Sequence, residues 1–154
     1  MQLSKDVSAA RRAAMATLAQ ADAAGIERGL AAAKCATEFV DLRAPEIGLV
    51  MLRGRIGGNG APFNVGEATV TRAAVQLTSG ERGFAYILGR DPKKARLAAL
   101  CDALWQADES RQRIEQHVLK PLRAVLDERE AHERACTAAT KVDFFTLVRG
   151  EDEQ

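Results

Sequence analysis

Apolar residues recur along this chain at two different periods, and the switch between them divides it into three parts. From Ser8 to Ala21 the alanines, Met15 and Leu18 return every three or four residues, which predicts a helix with Ser8 as its N-cap. Gly25 is expected to interrupt it, and Ile26, Leu30 and Ala33 continue on one face of a second short helix. Then the period becomes two. Thr37 to Arg43 reads as a first strand, after which Pro45 favours a turn or an edge position, Gly48 to Ile56 as a second, Glu67 to Thr78 as a third and Gly83 to Leu88 as a fourth. Short connections such as Ser79-Gly80 favour antiparallel neighbours, because parallel strands need long crossovers.

Helical periodicity returns after Gly89. Asp91 can cap a helix that has Pro92 at its first position, and Leu97, Leu100, Cys101, Leu104 and Trp105 form a stripe expected to lie on the sheet. A charged amphipathic segment follows with Ile114, Val118, Leu122, Val125 and Leu126 inward, and Pro121 kinks or restarts it. Glu109 with Arg113, and Glu130 with Arg134, are spaced for helical ion pairs. The expected fold class is α+β: an antiparallel β-meander of about four strands (37–89) between N-terminal helices (1–36) and C-terminal helices (91–139). All of it fits one domain. The segment Val142 to Gly150 puts apolar bulk where most chains fray, which predicts a tail docked on this domain or on a partner.

Composition narrows the function more than it shapes the fold. Lys and Arg number 22 against 21 Asp and Glu, a net charge of +1, so no global field exists to hold a polyanion or an acidic membrane. A free-standing nucleic-acid-binding module is disfavoured on that ground and by the lack of interleaved aromatic and basic residues. No apolar run approaches a membrane span, and Arg11 and Arg12 interrupt the segment where a secretory core would lie. Three widely separated cysteines, Cys35, Cys101 and Cys136, suit reduced thiols packed on helices, and the expected compartment is the cytoplasm. With only His117 and His132 to accompany them, neither a metal site nor a histidine-activated nucleophile is expected.

Candidate chemistry concentrates between Pro45 and Ala74. Gly57, Gly58 and Gly60 could bring backbone amides to a phosphate, but they precede a strand and lack the Lys-Ser/Thr of a P-loop, so a hairpin loop is the favoured reading. Arg53, Arg55, Arg72 and Arg90, with Glu67, either gather as an anion site or serve as edge charges. Strand parity puts Arg72 on the face opposite Thr69 and Thr71, so a single patch is not assured. In the tail, Phe144, Phe145, Val148 and Arg149 are candidate interface residues, as is Arg90.

Three blocks, EIGLVMLRGRIGGNGAPFNVGEATVTRAAVQL, GFAYILGRD and VDFFTLVRG, stand in an order and spacing that resemble the PhnG family, the G subunits of the bacterial carbon-phosphorus lyase core complex. The resemblance runs from about Ala44 to Gly150; the N-terminal helices and the charged stretch around Arg111 to Arg134 match in character only. It implies partnership with the H, I and J subunits, two copies of each, and functionally with K and L. It further implies a role, with H, I and L, in displacing adenine from ATP by a phosphonate to give a ribose 1-phosphonate 5-triphosphate. ATP is then a co-substrate of the complex, and this chain itself carries no cofactor. Radical C–P cleavage belongs to the J subunit, and this chain lacks the cysteine motif an iron-sulfur cluster needs. The resemblance supplies no catalytic residue for this chain. Two roles follow as expectations, a scaffold whose sheet and tail bind the I subunit, or a subunit lending an arginine-lined phosphate site.

Overall fold

A computed structural model describes residues 2–35 and 38–142 of the chain. Helix α1 (Gln2–Gln20) begins ahead of Ser8, which lies inside it and caps nothing. The break before α2 (Ala23–Ala33) falls at Asp22, not at Gly25, because the Asp22 carboxylate accepts the Gly25 N–H and caps the second helix. Lys34 closes α2 in the left-handed conformation at φ 48°.

The sheet has three antiparallel strands among the described residues, in the order β1 (Phe39–Arg55), β2 (Pro62–Leu77) and β3 (Arg82–Leu88). The first two expected strands are one. Of the two settings expected for Pro45, a turn or an edge, the structure has the edge: β1 runs through it as an edge strand, and the ladder skips around Leu42 and again at Ala44-Pro45, so the missing N–H interrupts no pairing. Across the sheet, Thr71 faces Ile47 and Ile87, whereas Arg72 faces Glu46 and Tyr86. These two sets define an inner and an outer face.

Helix α3 (Pro92–Gln106) occupies the inner face. Asp91 caps it by accepting the Lys94 N–H at 2.8 Å, with Pro92 in its first turn. Every residue from Ala98 to Trp105 is buried, so the helix is enclosed on all sides instead of presenting one stripe to the sheet. Its alanines make that possible: a Cβ on Gly83 of β3 would stand 1.9 Å from the Ala99 carbonyl oxygen, so the helix and strand backbones meet where neither has a side chain to spare. On its other side lie α1, α2 and the segment built from α4 (Asp108–Ile114), a π-helical turn (Glu115–Leu119) and α5 (Lys120–Ala139). Gly29 of α2 packs against that π turn, where a Cβ would lie 2.9 Å from the His117 carbonyl oxygen. Pro121 sits in the first turn of α5, so it restarts the helix.

One buried carboxylate ties three elements together. Asp102 of α3 accepts two hydrogen bonds from Arg11 of α1, at 2.8 and 2.7 Å, and one from the Phe84 N–H of β3 at 2.9 Å. The last closes part of the free edge of β3, and Gln106 extends the closure by donating to the Arg82 carbonyl at 2.7 Å. Thr71 does similar work at the end of the sheet: its hydroxyl donates to the Gly89 carbonyl at 2.7 Å and accepts the Asp91 N–H at 3.0 Å, fixing the strand-to-helix turn.

Several expected partners differ. Val125 is exposed, since beyond Leu122 helix α5 has no buried residue, while Leu126 is half-buried. Glu130 pairs with Arg134, but Arg113 donates to the Lys34 carbonyl instead of meeting Glu109. Among the cysteines Cys101 is buried, Cys35 intermediate and Cys136 exposed, so the expectation that each packs in the core fails at Cys136.

Candidate functional site

Strands β1 and β2 outrun the rest of the fold. The last buried residue of β2 toward its N-terminus is Val70, opposite Gly48, and from there the pair continues alone to Arg55 opposite Pro62. Those seven further residues of β1 extend about 23 Å at a strand rise of about 3.3 Å per residue. Apart from Glu67, exposed opposite Met51, and the arginines near its tip, the resulting arm is apolar, with large side chains exposed on both faces: Leu49 and Met51 are 63% and 54% exposed on one, and Leu52 is 46% exposed on the other. Ile56, Phe63 and Val65 continue this surface toward the tip. An isolated two-stranded ribbon is at best marginally stable in water, and exposed apolar patches of this kind mark interaction sites.

The outer face of the three-stranded region is also open. Phe84, Tyr86 and Leu88 alternate with the buried Gly83, Ala85 and Ile87 along β3, and Val40 of β1 joins them on the outside. Among them lies an ion cluster in which Glu46 is flanked by Arg72 and Arg43 at 2.5 and 3.2 Å. Glu46 raises the Arg72 pKa above its ordinary value, first by hydrogen bonding and then by its charge.

These positions separate the candidate arginines. Arg53 faces Asn64, and Asn64 is eight residues from Arg72 along β2, about 26 Å at the usual strand rise. Arg53 and Arg55 share the inner face with Leu49 and Met51, whereas Arg72 is on the outer face and already paired. The structure therefore brings Arg53 and Arg55 together and leaves Arg72 apart. Arg55 donates to the Gly60 carbonyl at 3.0 Å, and Arg53 has no hydrogen bond or ion pair among the described residues. Gly57 and Gly58 take φ of 61° and 79°, conformations that side chains resist, and the Gly60 N–H closes the loop on the Ile56 carbonyl. Arg90 is exposed at the turn into α3. Phe144, Phe145, Val148 and Arg149 lie outside the described residues.

Elsewhere the molecule offers little chemistry. A groove of about 460 Å³ between α1 and α5 is lined by Arg123, Asp127, Arg129, Glu130 and Glu133, and its two arginines are paired to Glu115 and Glu133. That balance does not make an anion site. Among the described residues no group of three or more His, Cys, Asp or Glu side chains could hold a metal ion, and no helix is long and apolar enough to cross a membrane.

The model of the family described as phosphonate metabolism protein PhnG matches residues 9–150. The chain belongs to the PhnG family. A PhnG relative from Rhizobium meliloti (strain 1021), named alpha-D-ribose 1-methylphosphonate 5-triphosphate synthase subunit PhnG, is 47% identical over 144 residues, covering 94% of this chain and 92% of its own length. The PhnG match takes in the N-terminal helices from residue 9 and the charged α4–α5 region, where the sequence blocks alone gave little. A PhnG chain named as one subunit of a synthase fits a molecule whose most distinctive surface is an uncovered arm.

The bare sheet face was the part that motif reading missed. The signal was in the sequence: Phe84, Tyr86 and Leu88 share a strand face, and the inner face was already claimed by the alanine-rich helix α3.

Proposed function

We propose that this chain is a cytoplasmic, non-catalytic subunit of a multi-subunit transferase that makes an α-D-ribose 1-methylphosphonate 5-triphosphate, and that the β1–β2 arm and the outer sheet face hold it to the other subunits. The partners on this reading are the H, I and J subunits of the carbon-phosphorus lyase core complex, with K and L acting alongside. ATP is the co-substrate of the complex, and no cofactor resides on this chain.

The observation that carries the reading is the arm. Its exposed large apolar residues keep about half or more of their surface in water, and covering them in an interface supplies the hydrophobic contribution that an isolated hairpin lacks. An internal catalytic centre has no comparable support, since the two arginines lining the groove between α1 and α5 are already paired within the chain.

The test is co-expression with the other subunits, followed by mass measurement of the purified complex. A second chain has Leu49–Thr69 replaced by Asn-Gly, so that Gly48 and Val70 close a short hairpin. The full chain is expected in a stoichiometric complex, and the shortened one is expected to stay folded and be lost from it. A shortened chain that assembles as well as the full one refutes the role given to the arm.

A further inference from the structure

The end of the arm carries two cations, and its shaft carries one carboxylate, Glu67 opposite Met51. Between Ile47 and Gly66 the only charged residues are Arg53 and Arg55; no Asp or Glu occurs in that span. Both arginines follow the apolar pair Leu49 and Met51 on one face, in the last three residues of β1. Each other arginine of the sheet that the fold neutralises has a carboxylate close by: Arg43 and Arg72 share Glu46. Arg53 and Arg55 form no ion pair among the described residues, although Glu67 stands opposite Met51 on the same face; the single bond from Arg55 to the Gly60 carbonyl orients its guanidinium over the glycine loop without cancelling its charge.

An arm with two guanidinium groups near its end and one carboxylate, Glu67, is a poor arrangement for burial against an apolar partner, because at least one cation would have to be desolvated without a counter-ion. It becomes favourable when an anion waits where the tip arrives. Guanidinium groups match phosphate oxygens in bidentate geometry, and the loop at Gly57 and Gly58 has no side chains to keep a ligand from the backbone.

We propose that Arg53 and Arg55 are substrate-positioning residues: docking of the arm carries them into the reaction site of the neighbouring subunit, where they bind a phosphate-type oxyanion of the substrates. The oxyanion is the triphosphate of ATP or the phosphonate itself. This inference rests on the assembly role proposed above. Arg72 takes no part, being about 26 Å away along the strand and on the opposite face.

The experiment uses the assembled complex and the double variants Arg53→Gln/Arg55→Gln and Arg53→Lys/Arg55→Lys, with Arg72→Gln as control. Steady-state KM is measured separately for ATP and for methylphosphonate. The expected result is an intact complex in which the glutamine pair raises one of the two KM values at least tenfold, the lysine pair restores part of it and the control changes neither. The KM that moves identifies which oxyanion is held. Unchanged KM values for both substrates in an intact complex overturn the inference while leaving the assembly role standing. Loss of the complex with the glutamine pair also overturns it, since the arginines are then contacts to an acidic partner surface. Failure of the unmodified chain to assemble is the separate failure of the assembly reading.

Discussion

Replacing Leu49 and Met51 together by threonine tests the arm most directly. Threonine keeps a high strand preference, so the ribbon is retained while its apolar surface on that face is removed. Fully burying a side chain of this size contributes about 1.5–3 kcal/mol. Leu49 is 63% and Met51 54% exposed in the free chain, so an interface still has roughly half to two-thirds of that contribution to collect from each. The pair is then worth about 2–3 kcal/mol to association, roughly a 30- to 150-fold weaker Kd at about 1.4 kcal/mol per tenfold. The free chain should barely notice, because exposed substitutions stay within about 0.5 kcal/mol. Calorimetric titration against the purified partner subunits gives the first quantity, and thermal melting of the free chain the second. Unchanged affinity refutes the argument. So does a large drop in the Tm of the free chain, which would mean that these side chains already pack within it.

Three further outcomes test the body of the fold. Gly83→Ala places a methyl group against the α3 backbone and is expected to cost about 3 kcal/mol in urea denaturation, with m unchanged. Arg11→Met strands the buried Asp102 carboxylate; because Arg11 keeps about a third of its side chain in water, the cost should fall below that of a fully buried pair, about 2 kcal/mol, and Arg11→Met/Asp102→Leu should recover part of it in thermal melts. Cys136 should react rapidly with a thiol reagent and Cys101 only on unfolding. Burial pushes the Cys101 pKa well above its ordinary 9.0, so the folded state keeps a proton that the unfolded state releases. Its contribution is fully present below pH 9 and is lost as pH rises beyond that, a slope that Cys101→Ala should remove from the stability profile.

The α+β class, the β3 alternation and the start of α3 were legible because each rests on local rules: period two, an Asp cap and a proline in the first turn. What local rules could not supply was continuity. Pro45 reads equally as a turn or an edge residue when the neighbouring strands are unknown, and only the position of β1 at the edge shows that its missing N–H faces no partner. The enclosure of α3 was hidden in the same way, since alanines score weakly in a stripe yet permit the closest packing. At the candidate site, parity separated Arg72 from Arg53 and Arg55, but the length of the unsupported ribbon needed the register. Val125 was misjudged because helical period says which residues share a face, not whether anything lies beside it.

The strand β2 has its C-terminal half in the core and its N-terminal half in the arm. A copy made in excess of its partners therefore folds its body while displaying a greasy ribbon, the kind of feature that chaperones and proteases act on. Surplus chains would be cleared and assembled ones spared, so the surface proposed to join the subunit to its neighbours would also keep their numbers matched.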